Sequence, residues 1–178
     1  MGDETFVLAM LVNNQAGVLT RVSSLFGRRG YNIDSLSVGE TEDSSISRIT
    51  IQTNGDDRIR EQIVRQLEKL HDVRTVTVMA QERTVLRELM MIKVQAGPDK
   101  LAQVQEAAKV FRAKIVDLTP TTITAEITGE KAKLDAFIAC LEPFGVTELC
   151  RTGLTAIGRG EYKLQQQQEE QTHGEDVL

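Results

Sequence analysis

The feature that most constrains the fold is an order of apolar patterns that occurs twice along the chain. In the first copy, Thr5–Val12 is a near-continuous apolar run of the kind that forms a central strand. The spacing of one helix face comes next, and further strand and helix patterns follow it, at Val18–Phe26, Ile33–Val38, Ser47–Thr53, Ile59–Leu70 and Asp72–Met79. The first copy therefore predicts the order strand, helix, strand, strand, helix, strand.

The second half of the chain repeats this order. Its strand and helix patterns fall at Leu89–Val94, Leu101–Phe111, Lys114–Leu118, Ile123–Ile127, Leu134–Leu141 and Val146–Leu154. Pro98 is expected at the first helical position, where its missing N–H costs no hydrogen bond. We therefore predict an α+β protein with two tandem ferredoxin-like βαββαβ domains, at residues 4–80 and 83–160. A polar, acidic tail at residues 161–178 is expected to be disordered.

The charge distribution argues against nucleic acid as a partner. The net charge is −5, and the tail from Glu161 contributes −4 of it, so the rest of the chain is close to neutral. Aromatic residues make up 4% of the chain, and the strand pattern Ser47–Thr53 contains none, unlike the sheets that stack RNA bases. Because a basic leader and an apolar run of roughly 18 residues are also missing, we expect a cytoplasmic protein without membrane contact.

No constellation of residues for catalysis or metal binding is visible in the sequence. Cys140 and Cys150 show no CxxC spacing, and Cys140 lies between apolar helix positions, which favours a packed hydrophobic role. His71 follows a helix pattern and is interpreted as a surface residue, while His173 lies in the tail. We therefore predict no catalytic residue, no metal site and no cofactor in this chain.

The segment Asn13–Gly17 is the strongest candidate for a binding site. It joins the first strand pattern directly to a helix, and the free N–H groups at a helix start attract an anion such as a carboxylate. Gly17 allows close approach to the backbone, and the side chain of Asn13 or Asn14 offers polar atoms to an ammonium group. Two interpretations stay open on this chemistry alone: a pocket for an amino acid, or an asparagine-rich turn that begins a helix.

A second stretch, Arg29–Ile33, ends the same helix and contains Asn32. Gly17 and Gly30 bracket about 13 residues, which span about 20 Å at 1.5 Å per residue. Asn32 therefore cannot reach a small ligand at Gly17 of the same chain. A two-fold dimer with antiparallel first helices would bring Asn32 of one chain to Gly17 of the other, so a shared site predicts a homodimer.

Motifs in both halves resemble one family, the regulatory small subunits of acetolactate synthase (acetohydroxyacid synthase). The first half is similar to that family's ACT domain at Asn14–Val22, Arg29–Ile33 and Ser47–Ile51. The second half is similar to its C-terminal domain at Glu88–Met90, Phe111–Asp117 and Gly129–Phe137. The resemblance covers about residues 4–160 and leaves out the tail.

The resemblance implies a noncatalytic subunit that forms a homodimer through its ACT domain and binds valine or a related branched-chain amino acid. It also implies that the chain activates a large catalytic subunit and confers feedback inhibition on it. Thiamine diphosphate, Mg²⁺ and FAD would belong to that partner, which condenses pyruvate with pyruvate or 2-oxobutyrate. The effector residues that the family pattern implies are Asn14, Gly17 and Val18 from one chain and Asn32 and Ile33 from the other.

Two alternatives remain open at this point. One is a stand-alone ACT-domain sensor that acts on another enzyme or on a transcriptional response. The other is a small-molecule enzyme on a ferredoxin-like fold, which is disfavoured because acid–base groups are missing.

Apolar residues beside the motifs would set the choice of effector. Val18, Leu19 and Ile33 are candidates to line a pocket, although each also fits a core position and Leu19 is expected to be one. Valine and isoleucine differ by one methylene, worth about 1–3 kcal/mol in an apolar pocket. The matching turn of the second half, Gln95–Pro98, lacks an asparagine, so a second effector site is disfavoured there.

Overall fold

The structure, a computed structural model, describes residues 4–164 and contains nine strands and four α-helices in that range. The chain divides into two compact units. One unit combines the residues up to Val85 with those from Leu154 onward, and the other comprises Leu86–Gly153. No helix within residues 4–164 has both the length and the apolar character needed to span a bilayer.

The first unit is built on a four-stranded antiparallel sheet with the order β2-β3-β1-β4. Its elements follow the chain as β1 (Glu4–Asn13), α1 (Val18–Arg29), β2 (Ser35–Glu40), β3 (Ile46–Gly55), α2 (Asp57–Leu67) and β4 (Val73–Val78). β1 lies inside the sheet and pairs with both β3 and β4. Its two-sided burial explains why its sequence is a continuous apolar run and does not alternate with polar residues.

The core of the first unit lies between the sheet and its two helices. Alternate residues of β1, from Phe6 to Val12, point into this core. The helices contribute one apolar face each, formed by Val18, Val22, Leu25, Phe26, Ile63 and Leu67. The intervening β1 residues Val7, Ala9 and Leu11 are buried as well, so the opposite face of this strand is also removed from water.

The second unit repeats the plan with β5 (Thr84–Gln95), α3 (Leu101–Phe111), β6 (Lys114–Leu118), β7 (Thr122–Gly129), α4 (Lys131–Leu141) and β8 (Val146–Arg151). Its sheet has the order β6-β7-β5-β8, and these pairs are antiparallel. The two helices contribute to one apolar core with β5 and β7, in which the rings of Phe111 and Phe137 lie 5.1 Å apart between centroids. Single 3₁₀ turns occur at Gln81–Arg83 and Glu142–Phe144.

After β8 the chain returns to the first unit through a segment that we call the C-terminal segment, Leu154–Leu164. It begins with β9 (Thr155–Gly158), which pairs with β5. The backbone N–H of Arg159 donates to the carbonyl of Arg83 (2.8 Å), and the Arg83 guanidinium lies 4.4 Å from the ring centroid of Tyr162. Leu154 and Leu164 are both buried, so the segment begins and ends with an apolar side chain removed from water.

The predicted fold class is confirmed, because both units show the βαββαβ order and an antiparallel sheet with two helices. The polar segment Glu40–Ser45 between β2 and β3 joins these two paired strands as a hairpin loop. Pro98, however, is not the first helical residue: α3 begins at Leu101, after a turn in which the N–H of Lys100 donates to the carbonyl of Gly97 (2.9 Å).

The end of the second half differs from the sequence expectation. The single predicted strand Val146–Leu154 is interrupted after Arg151, where Gly153 adopts a positive φ of 83°, and β9 follows separately. The described chain from Leu154 onward groups with the first compact unit, and the predicted bounds of the second domain, 83–160, stay a prediction. The predicted tail began at residue 161, but Leu164 is buried, and residues 165–178 of that tail lie outside the described range.

The expectation that Cys140 is packed is wrong. Both Cys140 and Cys150 are exposed. The buried face of α4 is formed by Leu134, Phe137 and Leu141, and Cys140 lies about 100° around the helix from Leu141, at the edge of that face.

Gly27→Ala and Gly30→Ala form a matched pair, because an added Cβ meets nothing within 4 Å at either position. Gly27 lies inside α1, whereas Gly30 caps its end in the left-handed region with a φ of 70°. We expect Gly27→Ala to raise the free energy of unfolding by about 0.5–1 kcal/mol and Gly30→Ala to lower it by about 1 kcal/mol. Urea unfolding followed by circular dichroism measures both, and effects of the same sign would contradict the different roles of the two glycines.

Candidate effector-binding site

The start of α1 has the properties of an anion site. Gly17 is the N-cap with a φ of 85°, and no side chain caps the helix. The first turn contains no acidic residue. The N–H of Val18 donates to the carbonyl of Gln15 (3.4 Å), while those of Leu19 and Thr20 have no carbonyl partner inside the helix and carry the positive end of the helix dipole. A carboxylate can therefore bind there without competing with a negative group of the helix itself.

Arg21 adds a positive charge to this helix start. Its Nη1 atom lies 3.2 Å from the position that a Cβ on Gly17 would occupy. Its Nε donates to Oδ2 of Asp72 (2.8 Å), whose side chain is only 2% exposed, and its Nη2 also pairs with that oxygen. His71, exposed as predicted, places Nε2 3.0 Å from Oδ1 of the same carboxylate. Asp72 thus holds the guanidinium beside Gly17.

Sequence reasoning did not single out Arg21 as a site residue. Its position four residues after Gly17 was the available signal, since residues i and i+4 lie one above the other on a helix. The pairing with Asp72 depends on a contact across 51 positions of the chain, which no local pattern announces.

Asn14 is fixed by the loop between β2 and β3. Its side-chain nitrogen donates to Oε1 of Glu40 (3.0 Å) and to the carbonyl of Ser44 (2.9 Å), while its backbone N–H donates to Ser45 (2.8 Å). Both amide hydrogens are thereby used, which leaves the Oδ1 atom as the acceptor for an ammonium group. Glu40, which the sequence did not single out, brings a carboxylate to the same place.

The loop that receives Asn14 is itself ordered by local hydrogen bonds. Asp43 accepts from the hydroxyl of Ser45 (2.7 Å) and from its backbone N–H (2.9 Å). These two bonds, the hydroxyl first, lower the pKa of the Asp43 carboxyl below its ordinary value. The charged carboxylate therefore holds the turn in the shape that presents the carbonyls to Asn14.

Val18 and Leu19 exchange the roles that the sequence suggested. Leu19 was expected in the core but is 41% exposed, and Val18 is 4% exposed and packs in the core of the first unit. The reason is the helix phase: Val18 shares its face with Val22 and Leu25, and Leu19 points about 100° away from Val18. Leu19 is thus the apolar surface beside Gly17, while Val18 anchors the helix start.

Asn32 and Ile33 lie at the other end of α1. The side-chain nitrogen of Asn32 donates to Oδ1 of Asp34 (2.5 Å), and its backbone carbonyl accepts from the hydroxyl of Thr53 (2.6 Å). Ile33 is half-buried against the core of the first unit. Asn32 is exposed, so its remaining amide hydrogen is accessible to a ligand.

The structure does not bring the candidate residues at the two ends of α1 together within one chain. α1 has 12 residues, or about 18 Å. β3 gives an independent measure, because Asn14 bonds to Ser45 at its start and Asn32 bonds to Thr53 near its end. These positions are eight residues apart, or about 27 Å along a strand. Asn14, Gly17 and Val18 therefore form one group, and Asn32 and Ile33 form another.

Comparisons with known proteins identify the two halves separately. Residues 8–75 match the family described as the AHAS small subunit-like ACT domain. Residues 87–160 match the family described as the small subunit of acetolactate synthase. The matches cover both βαββαβ patterns.

Whole-chain relatives agree with these matches. The chain is 45% identical over 161 residues to a probable acetolactate synthase small subunit of Methanothermobacter thermautotrophicus, covering 90% of this chain and 96% of the relative. It is 44% identical over 160 residues to the acetolactate synthase small subunit of Mycobacterium bovis, covering 90% and 95%. The crystal structure of the acetolactate synthase small subunit of Thermotoga maritima superposes with a TM-score of 0.82 at 40% identity, over 89% of this chain and 99% of that one. The chain therefore belongs to the family of acetolactate synthase small subunits, the regulatory partners of a catalytic large subunit.

Proposed function

We propose that the chain activates the acetolactate synthase catalytic subunit and makes it sensitive to feedback inhibition by valine. The observation that carries the effector site is the uncapped start of α1 at Gly17, with the Arg21 guanidinium beside it. An α-amino acid offers a carboxylate, an ammonium group and a side chain at fixed spacing. The start of α1 and the residues around it supply one partner for each of these three parts.

The ligand's carboxylate would face the first N–H groups of α1 and Arg21. Its ammonium group would face Oδ1 of Asn14 and the Glu40 carboxylate, which lies within 3.0 Å of the Asn14 amide. The exposed side chain of Leu19, in the first turn of the same helix, offers apolar surface for the ligand's side chain. The site would offer a positive group, the Arg21 guanidinium, and a negative group, the Glu40 carboxylate. This pair of charges fits a zwitterion better than it fits a simple anion.

A second chain completes the site in this proposal. Asn32 and Ile33 are too far from Gly17 to act within one chain, and a homodimer through the ACT domain with antiparallel α1 helices would supply them from the partner. A ligand held between two chains also favours one arrangement of the dimer over others. That preference is the physical basis for an effect on a bound catalytic subunit.

In this proposal the chemistry belongs to the catalytic partner. Thiamine diphosphate, Mg²⁺ and FAD are expected on that subunit. The role of this chain is to bind it, to raise its activity and to lower that activity when the effector is bound.

Two measurements test the proposal. Isothermal calorimetry of the purified chain with valine, leucine and isoleucine measures effector binding, and we expect heat with valine and a stoichiometry of up to two ligands per dimer. Adding the chain to the catalytic subunit is expected to raise its rate, and valine is then expected to reduce it. No association with the catalytic subunit and no change in its rate would refute the proposal and would favour a stand-alone amino-acid sensor.

Gly17→Asp is expected to abolish valine inhibition while leaving activation largely intact. The new carboxylate would lie beside Arg21, where the ligand's own carboxylate is proposed to bind. Two like charges brought together cost about 3 kcal/mol or more, which corresponds to a loss of more than about a hundredfold in affinity. The measurement is the valine concentration that halves the rate of the reconstituted enzyme.

Gly17→Asn is the matched control for this variant. Asparagine has nearly the same size as aspartate and also tolerates the left-handed backbone that Gly17 adopts, but it carries no charge. We expect Gly17→Asn to retain more valine inhibition than Gly17→Asp does. Unchanged inhibition in Gly17→Asp would show that the effector does not bind at this helix start.

A mixed dimer tests whether the site lies between chains. Gly17→Asp and Asn32→Ala homodimers are each expected to bind valine weakly, because every site in them has one defective half. A dimer of one chain of each kind has one site with both halves defective and one site with both halves intact. We therefore expect mixed dimers, purified with two different affinity tags, to bind one valine with wild-type affinity. Failure to recover any tight site would contradict a site shared between chains.

A further inference from the structure

We propose that the hydroxyl groups of Ser35 and Ser37 couple effector binding to the second unit, by holding the start of the C-terminal segment. Ser35 Oγ accepts a hydrogen bond from the backbone N–H of Leu154 (2.6 Å). Ser37 Oγ donates to the carbonyl of the same residue (2.8 Å) and lies 3.3 Å from the hydroxyl of Thr155. Two side chains of β2 thus satisfy both backbone groups of one distant residue.

This contact is specific in register. Ser35 and Ser37 are alternate residues of β2 and therefore point to the same face of the sheet. Their partners in β3 are Gln52 and Thr50, which places the contact in the first half of β2, beginning at its first residue. A shift of β2 by one residue would turn both hydroxyls to the other face and break both bonds at once. The contact therefore depends on the register of β2.

The proposed effector group lies immediately before these serines. Asn32 is three residues ahead of Ser35, and the chain between them is tied to β3 by the bond from Thr53 to the carbonyl of Asn32 and by the bond from the Asp34 N–H to Gln52 (2.9 Å). The Asn32 amide already donates to Asp34. A ligand that binds the remaining hydrogen of this amide adds a bond to a side chain already tied to Asp34, so occupancy changes the hydrogen bonding of the segment that leads into β2.

On the other side of the contact, Leu154 is close to the second unit in sequence. Only Thr152 and Gly153 separate it from the end of β8 at Arg151. A displacement of Leu154 is therefore transmitted to β8 through two residues of backbone. Arg151, the last residue of β8, is itself bonded to Asp135 (2.6 Å) and Glu88 (3.4 Å) in the second unit. The end of β8 that a displacement of Leu154 would reach is therefore fixed by these side-chain bonds.

The far end of the C-terminal segment is anchored independently of the serines. Arg159 bonds to the carbonyls of Arg83 (2.8 Å) and Thr84 (3.1 Å), and Tyr162 lies under the Arg83 guanidinium. Removing the serine hydroxyls therefore removes their bonds to Leu154 and leaves the bonds of Arg159 and the Arg83–Tyr162 contact in place. This separation allows the coupling to be removed while the fold is kept.

The test is the double variant Ser35→Ala/Ser37→Ala in the full chain, reconstituted with the catalytic subunit. The proposed coupling rests on the proposed function. Two measurements distinguish the coupling from the proposed function: valine affinity by calorimetry and the valine concentration that halves the rate. We expect the affinity to stay within about twofold of wild type and the half-inhibiting concentration to rise about tenfold, equivalent to about 1.4 kcal/mol of coupling. Ser23→Ala is the matched control, because its hydroxyl bonds only to Thr20 inside α1.

Rescue and exchange measurements exclude a purely structural role. Ser37→Thr keeps a hydroxyl at the same position. It is therefore expected to restore the valine inhibition that the double variant loses. The Leu154 amide is expected to exchange with solvent more slowly when valine binds to the wild type, and to show no such response in the double variant.

The outcomes are distinguishable. If wild-type protein neither binds valine nor responds to it, the proposed function fails and the coupling fails with it. If the wild type responds and the double variant is inhibited equally well, only the coupling is overturned. If the double variant loses valine affinity in parallel with inhibition, the serines serve binding or folding, and the coupling is again overturned.

Discussion

The length of α1 between two left-handed glycines is the constraint on which the candidate site depends. Gly17 and Gly30 begin and end the helix because each adopts a positive φ, of 85° and 70°, that other residues reach only at a cost. The 12 residues between them bury one apolar face against the sheet, so the helix can neither slide nor shorten without exposing that face. The two groups of candidate residues are therefore held at a fixed separation of about 18 Å along the helix.

Much of this arrangement could be predicted from the sequence, because its causes are local. The spacing of Val18, Val22 and Phe26 identifies a helix face, and a glycine at each end limits its length. The continuous apolar character of β1 identifies a central strand with two buried faces. These signals are sufficient to order the elements of both units. The same local reasoning also separated Gly17 from Asn32, since it needs only the rise per residue.

What could not be predicted depends on contacts between distant positions. Arg21 is placed by Asp72, and the C-terminal segment is placed by two serines more than a hundred residues earlier. Neither partner carries a local pattern that reveals the other. The exchange between Val18 and Leu19 has a different cause: both are apolar and adjacent, and the phase of the helix against the sheet decides which one is buried. That phase is set by packing against the sheet. The sequence alone does not decide whether Val18 or Leu19 is the buried residue.

The second unit shows that the turn, and not the fold, determines where such a site can form. α3 follows β5 as α1 follows β1, yet its N-cap is Lys100, and the side chain of Asp99 places Oδ1 3.0 Å from the Cβ position of Gly97. A carboxylate of the chain itself thus lies in the turn that leads into α3, where it would repel a second anion. At the start of α1 the neighbouring charge is the guanidinium of Arg21, which has the opposite sign. Two units with the same order of elements therefore differ in the charged side chain beside this turn, which is why the proposed carboxylate site is placed in the first unit.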